Sequence, residues 1–383
     1  MQNLNAMPVS ITNGASLIGG SGDVATRLLT YNFDPRCIRP FLHDDGHTSL
    51  ISQQIGWKDG KPVLKNVQTT NAATLRKDDW VMIDETVVAA AMPRLRFFND
   101  LRAAGLNVNL PNALGKTVWQ YERQSNITGA TVSMDGLRKG DADRPMYDMD
   151  QMPLPIIHKD FSFSARQIAV SRNSNMPIDV TTAGMASRMV AEKVERLALG
   201  VEPDFQFGGG NVYGVCNYPQ RLTKVFTNWA RVDGSRDPDW SPAILYRQIL
   251  DARRNLHDIR HYGPFAIYHS PDFDQILDDD YNDHTAGQTS TITLRERLEK
   301  IKEIKSINCS EFLPYGTFVM IELDQNTIQA VTGMDITTVQ WQTEGGFEIH
   351  FKVICILLPR LKSDFYGRAG ILHARLSAPK PVI

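Results

Sequence analysis

The chain has 383 residues, enough for two or three domains or one multi-part fold with a sizeable core. Its composition, 42% hydrophobic, 22% charged and 9% aromatic, is ordinary for a soluble globular protein. With 41 Lys and Arg against 43 Asp and Glu, the net charge of -2 excludes the electrostatic footprint of a dedicated nucleic-acid binder, though not a protein that merely encloses nucleic acid.

Cys37, Cys216, Cys309 and Cys355 lie far apart, with no CxxC spacing for zinc, haem or redox work, so a reduced, intracellular setting is expected. The first basic residue is Arg27 and no apolar core precedes a cleavage site, so no signal peptide is expected. The longest apolar runs, such as VICILL at 353–358, are too short to span a bilayer, and no membrane partner is expected.

Residues 1 to about 75 are rich in Asn, Gly, Ser and Thr, with short apolar clusters such as Leu28, Leu29, Tyr31 and Phe33. They read as an extended arm that gains order by lying on something else. The first helix is predicted in DETVVAAAMPRLRFFNDLRAAG, capped by Asp84 and stopped by Gly105, with Val88, Ala91, Leu95, Phe98 and Leu101 at helical spacing. Pro93 is expected to kink or restart it.

From residue 116 the period changes to two. KTVWQYERQ sets Trp119 and Tyr121 on one face against Gln120 and Glu122 on the other, and the polar stretch DGLRKGDADRPMYDMD follows. LPIIHKDFSFSAR then returns as a second extended segment, so 116–166 reads as a long hairpin with a charged tip. A ribbon of that length is marginal alone and must rest on a partner.

The strongest helix signal is DVTTAGMASRMVAEKVERLALG, 179–200, with Asp179 or Thr181 as cap, Gly200 as stop, and a stripe of Ala183, Ala186, Val190, Val194 and Leu197. Glu192 and Arg196 sit one turn apart in the favourable order. SPAILYRQILDARRNLH starts a third helix, with Ser241 as cap and Pro242 at its first position, burying Leu245, Ile249, Ala252 and Leu256. PFAIYHS reads as a core strand, SPDFDQIL as a capped helix start, and TLRERLEKIKEI carries a capping box between Thr293 and Glu296. In the last quarter TFVMIEL and TIQAVTG flank a DQN turn, and TTVQWQTE meets FEIHFKVICIL across Gly345 and Gly346. There Phe347, Ile349, Phe351 and Val353 alternate with Glu348, His350 and Lys352. Helices and antiparallel strands in separate runs make the class α+β.

Six chemical candidates are weak. His158, Asp160, Ser162 and Ser164 share one face of a strand, but residues two apart are separated by about 6.6 Å along the backbone, too far for a triad; a solvated strand face is the better reading. HDIRH places His257 and His261 four apart, yet Asp258 is not the Glu of a zinc protease and Gly263 marks the helix end, so a helix dipole explains the pair more simply than a metal hydrolase does. HDDGH, with His43 and His47, falls in the arm, and GKT at 115–117 lacks the upstream Gly of a phosphate loop, the position being Leu110. FGGGNVYG at 207–214 reads as a flexible loop and the acidic run 272–283 as a solvated face, lacking calcium-loop spacing. No catalytic residue, cofactor or metal site is expected.

What remains is assembly. The order DDWVMIDETVVAAAMPRLRFFNDLRAAGL, GKTVWQYER, LPIIHKDFSFSARQI, AGMASRMVAEKVERLALG resembles tailed-bacteriophage major capsid proteins of the Hong Kong 97 type, especially the branch shared with encapsulin shells. It extends from about residue 78 through FEIHFKVICILLPRLKSDFYGRAGILHA, as element order and apolar pattern rather than a catalytic signature. The resemblance implies an N-terminal arm and arm helix over 1–115 and an extended loop over 116–166. It implies a peripheral domain over 167–224 and 336–383, with a spine helix at 179–200 carrying Val190, Val194 and Leu197, and an axial domain over 225–335. It further implies self-assembly into hexamers and pentamers of an icosahedral shell around double-stranded DNA, without sequence-specific binding. The implied location is the virion, assembled in the host cytoplasm, with a portal and a separate scaffolding or cement protein as further partners.

The loop residues Trp119, Tyr121, Arg138, Lys139, Arg144, Phe161 and Phe163 would meet the adjacent subunit. Some members of the family cross-link a loop lysine to an asparagine; Lys139 lies at the predicted tip, but no acceptor is identifiable and cross-linking is not expected. The alternative is an encapsulin-like compartment around an enzyme cargo. The first 75 residues are extra to the encapsulin pattern and favour the capsid.

Overall fold

The computed structural model describes residues 40–42, 48–58, 61–69, 77–124, 134, 144, 147–173, 180–233, 237, 240–279, 292–342, 348–364 and 366–379. Within the predicted arm, β1 (Pro40–Leu42), β2 (Thr48–Lys58) and β3 (Lys61–Thr69) form a small antiparallel sheet. Cys37 and His43 and His47 lie outside the described residues.

Helix α1 (Lys77–Ala91) starts two turns before the predicted cap, so Asp84 lies inside it. A 3-10 turn at Met92–Arg94, containing Pro93, separates it from α2 (Arg96–Ala103). The missing N–H of proline breaks the ladder there, as expected. The buried stripe is Trp80, Ile83, Val87 and Ala91, and Val88, predicted to be part of it, is exposed. Gly105 follows α2 with φ +76°, the left-handed position that ends many helices.

Next come β4 (Asn107–Asn109), β5 (Val118–Gln124), β6 (Tyr147–Pro153) and β7 (Ile157–Ser164). Helices α3 (Ala165–Asn173) and α4 (Thr181–Leu199) follow. Strands β8 (Phe205–Phe207) and β9 (Gly210–Val212) then form a hairpin. The FGGG segment is therefore a tight turn and not a flexible loop: Gly208 and Gly209 both have positive φ, which a two-residue hairpin turn requires. The remainder is β10 (Leu222–Phe226), α5 (Pro242–Asp258), β11 (Phe265–His269), α6 (Asp272–Leu277), α7 (Leu294–Glu299), β12 (Ile304–Cys309), β13 (Thr317–Glu322), β14 (Ile328–Gln342), β15 (Glu348–Leu361) and β16 (Ile371–Leu376).

Helix α4 ends at Gly200, φ +73°, whose N–H returns to the carbonyls of Arg196 and Leu197. The last carbonyls of the helix are satisfied by a crossing chain: Val215 N–H donates to Ala198 O at 3.0 Å and Cys216 N–H to Leu199 O at 2.9 Å. That crossing demands glycine, because a Cβ on Gly214 would sit 2.1 Å from Gly200 N. At the other end the N-cap position is Val180, which makes no side-chain cap, and Thr181 is the first residue of the helix rather than its cap; Asp179, the other predicted cap, lies outside the described residues. Glu192 pairs with Arg188 at 2.6 Å, whereas Arg196, its predicted partner, lies over the Phe312 ring at 5.4 Å. Helix α5 has Pro242 in its first turn and Leu245, Ile249, Ala252 and Leu256 wholly buried, as expected, but Ser241, at the N-cap position, makes no side-chain capping hydrogen bond. In α7 the Thr293 hydroxyl accepts the Glu296 N–H at 3.3 Å.

The strands fall into two main sheets. One has the order β4-β14-β15-β7 and carries α1, α2 and α4 on its apolar face; the other has the order β10-β16-β13-β11-β12 and carries α5, α6 and α7. TIQAVTG and TTVQWQ are a single strand, β14, paired antiparallel with β15 through Gln342 and Ile349. Residues 343–347, the predicted turn, lie outside the described residues. The DQN turn does not close a hairpin, since β13 and β14 belong to different sheets. Nor do the sheets respect a boundary at 335: Ile328 already belongs to the first, and β16 returns to the second. Both sheets are mixed, β10 being parallel to β16, β11 to β12 and β4 to β14.

The second sheet separates the two cores by alternation. Phe265, Ile267, Phe318, Met320, Leu372 and Ala374 face α5 to α7, while Ala266, Tyr268, Val319, Ile321 and Ile371 face the core of α2 and α4. Tyr268, on that inner side, donates its hydroxyl to Asp100 Oδ2 of α2 at 2.8 Å, and Asn308 Nδ2 reaches the same oxygen at 2.8 Å.

Glu195 of α4 is buried, and its Oε1 accepts the Phe97 N–H at 2.7 Å, filling the N-cap role that Leu95 cannot provide for α2. Its Oε2 has no partner, which suits a neutral carboxylic acid: burial pushes the group up to about 8 from 4.5. Between those values the folded chain holds a proton that the unfolded chain releases, so this contribution to stability is present at acidic pH and is lost as pH rises through about 8. Glu195→Gln should flatten the fall in unfolding free energy from pH 5 to pH 8.5 and stabilise the alkaline end by a few kcal/mol, measured by urea denaturation across that range.

Candidate assembly surface

The extended loop is built from β5 and β6, paired from Val118↔Pro153 to Gln124↔Tyr147. This corrects the predicted hairpin. LPIIHKDFSFSAR is not its returning strand; the returning strand lies in MYDMDQMP, which the sequence assigned to a polar tip. Strand β7 instead pairs with β15, from Ile157↔Cys355 to Ser164↔Glu348. The physical reason is the aromatic face. Phe161 and Phe163 are 8% and 6% exposed, and Phe161 stacks on Phe351 at 5.1 Å while Phe163 meets it edge-on at 5.5 Å. Both rings are spent inside the subunit's own core, so they cannot also present themselves to a neighbour.

The root of the loop is clasped by a residue absent from the sequence reading. Trp119 and Tyr121, half-buried on one face of β5, lie 5.4 Å apart, and the Arg360 guanidinium sits 3.8 Å from the Tyr121 ring centre and 4.6 Å from that of Trp119. Arg360 Nη1 also donates to Gln329 Oε1 at 3.2 Å. The Tyr121 hydroxyl donates to Asp150 Oδ2 on β6 at 3.0 Å, and burial, reinforced by Asp150, pushes Tyr121 up to about 12. Gln151 Nε2 donates to Gly208 O at 2.8 Å, tying β6 to the β8–β9 hairpin. These groups line a polar cavity of about 310 Å³ that includes Tyr121, Asp150, Gln151, Tyr218 and Arg360. Nothing in VICILLPRLK marks Arg360 as a partner of residues 119 and 121; only the register of β14, β15 and β6 brings them together.

Past this root the loop presents apolar side chains to solvent: Tyr147 is 61% exposed and Met149 60%. Arg144 is exposed, and Arg138 and Lys139 lie outside the described residues. The helix residues Val190 and Val194 are buried in the main core, and Leu197 belongs to a smaller cluster with Met152, Leu154 and Val212 beneath the loop root. The outer side of α4 exposes Met185 and Met189. Met185 and Met189 lie one turn apart on α4, and Tyr147 and Met149 two residues apart on β6, so each pair shares a face, and contiguous apolar surface is a mark of protein contact.

Among the described residues, neither histidine candidate brings its side chains together as a site. His158, Asp160, Ser162 and Ser164 are all exposed on β7, the wet face expected. His158 Nδ1 does approach Asp160 Oδ1 to 3.6 Å, closer than backbone spacing suggested, but Ser162 donates to Glu348 at 2.8 Å and Ser164 accepts the Gln167 N–H. His257 and His261 part company: α5 ends at Asp258, His257 turns to Glu303 at 3.5 Å, and His261 pairs with Glu322. Burial opposes ionisation of Glu322, but hydrogen bonds from His261, Gly263 N–H and Thr327 outweigh it and hold the carboxyl below its usual range.

An elongated hairpin clasped at the root, a long helix across a four-stranded sheet, and a second sheet with its own helices make up the Hong Kong 97 capsid fold. The chain belongs to the family of unknown function DUF6260, whose model matches residues 70–374. The fold is similar to that in the capsid of Myoviridae phage XM1, with TM-score 0.54 and 11% identity over 72% of this chain and 91% of that one. It is also similar to that in the capsid of the native GTA particle, with TM-score 0.52 and 12% identity over 74% of this chain and 92% of that one. In sequence the chain is 26% identical over 200 residues to the type 1 encapsulin shell protein EncA of Myxococcus xanthus, covering 51% of this chain and 61% of that protein. It therefore spans less than two thirds of that relative's length.

Removing the clasp should loosen the loop and spare the core. Arg360→Ala is expected to lower unfolding free energy by about 1–2 kcal/mol, the scale of a partly desolvated cation–π contact, and to expose 118–153 to limited proteolysis. Arg360→Lys, which keeps charge but not the planar stack, should rescue only part of the protection.

Proposed function

We propose that this chain is a major capsid protein whose copies assemble into hexamers and pentamers of an icosahedral shell enclosing double-stranded DNA. The observation that carries the reading is the loop. It is held firmly at its root by Arg360 and Asp150 yet offers Tyr147 and Met149 to solvent, as a subunit clamp must. A hairpin with those side chains uncovered gains little in a lone subunit and much when a neighbour covers them. The net charge of -2 is consistent with DNA that keeps its own counterions inside a shell. A portal and a separate scaffolding or cement protein complete the proposed set of partners.

A second reading, a compartment around an enzyme cargo, is favoured by the likeness to the Myxococcus xanthus shell protein. The sheet of β1 to β3 ahead of the family match favours the capsid. Particles isolated from the natural source and treated with nuclease should retain protected duplex DNA. A co-purifying folded enzyme in place of DNA would overturn the capsid reading in favour of the compartment.

The role of the loop is tested separately. Replacing 125–146 by Asn-Gly lets the paired residues Gln124 and Tyr147 close in a two-residue turn. The variant should fold, as judged by its unfolding midpoint, and fail to give stable particles by electron microscopy. Particles like those of the parent chain would show that the loop is not a clamp.

A further inference from the structure

Three side chains that no spacing rule connects converge beside the second sheet. His269 ends β11 and Cys309 ends β12, and the two are register partners on adjacent parallel strands. Asp274 comes from α6, immediately after β11. The ligand atoms of all three lie within 4.8 Å of one another, and His269 Nε2 is 3.8 Å from Asp274 Oδ1.

The histidine supplies the decisive detail. Its side chain is wholly buried. Its Nδ1 lies 3.0 Å from the Ser270 carbonyl oxygen, which only accepts, so Nδ1 carries the proton and Nε2 presents a bare lone pair. Nε2 has no hydrogen-bond partner. A buried imidazole acceptor left without a donor is costly, on the order of 1–3 kcal/mol. The arrangement is also that of metal-binding histidines, whose distal N–H is fixed by a carbonyl while the other nitrogen ligates.

We propose that His269 Nε2, Asp274 and Cys309 Sγ bind a borderline divalent transition-metal ion, Zn²⁺ being the best fit to one nitrogen, one oxygen and one sulfur donor. Bond lengths of about 2.0–2.3 Å place tetrahedral ligands roughly 3.3–3.8 Å apart, so the cluster closes with small side-chain movements. Water takes the fourth position. On binding, the Cys309 thiol loses its proton to solvent and becomes the thiolate ligand. Arg295 donates to Asp274 Oδ1 at 2.8 Å and to Asp278 Oδ1 at 2.7 Å. It opposes the ion by charge but also orients the ligating carboxylate, as hydrogen-bond partners of metal ligands do. The bound ion would join β11, β12 and α6, a structural role independent of what the shell encloses.

The full-length protein, freed of metal and titrated with Co²⁺, should bind about one ion per chain and develop a thiolate-to-cobalt charge-transfer band, bleached by added Zn²⁺. Cys309→Ser, nearly isosteric and only partly buried, should lose that band and lose the zinc-induced rise in melting temperature seen for the parent chain. As a check free of mutation, Zn²⁺ should slow alkylation of Cys309 at least about tenfold, read by mass spectrometry of the Cys309 peptide. Absence of the band in the parent chain, a band that survives Cys309→Ser, or alkylation unaffected by Zn²⁺ would each overturn the proposal.

Discussion

The central strands of the second sheet are buried on both faces, and much of the molecule follows from that. All residues of β11 and β13 are buried. A sheet so enclosed must satisfy its polar groups internally, and it must be apolar on alternating sides for two different cores. Phe265, Ile267, Phe318 and Met320 serve one side, and Ala266, Tyr268, Val319 and Ile321 the other. The few polar side chains allowed there are tightly engaged, as in the Tyr268 and Asn308 contacts to Asp100. Against that background a bare nitrogen on His269 is an exception that calls for a ligand.

The same logic separates what the sequence disclosed from what it hid. Where burial is one-sided and periodic, the chain declares itself: α5 with Leu245, Ile249, Ala252 and Leu256, the break at Pro93, the stop at Gly200, and the wet row on β7. Strand pairing is a different kind of fact. Both YDMDQMP and IHKDFSFS extend after β5, and local pattern favoured the second as its partner because its alternation is cleaner. Clean alternation meant a better core strand, and the core took it.

The candidate assembly surface was half visible for a related reason. Trp119 and Tyr121 stand out by type and spacing, but their half-buried state depends on Arg360, more than two hundred residues later, and no local pattern encodes it. Glu195 is similarly hidden: on the helical wheel it looks like one more charge, and only the position of the α2 N-terminus explains why a carboxyl is placed inside the core, where burial raises its pKa. Tertiary contacts of polar groups, unlike apolar stripes, leave little trace in a single sequence.

Strand β15 joins the aromatic core to the clasp of the loop. Phe351 anchors its first half among the core aromatics, and Arg360 near its other end holds the hairpin. The strand is bonded along its first half to β7 and along most of its length to β14. Besides its own backbone, the hairpin is thus tied through Arg360 to a strand held by hydrogen bonds on both sides along its first half, so a load that reaches β15 is shared among many bonds. Mechanically the chain is a handle attached to its own keel.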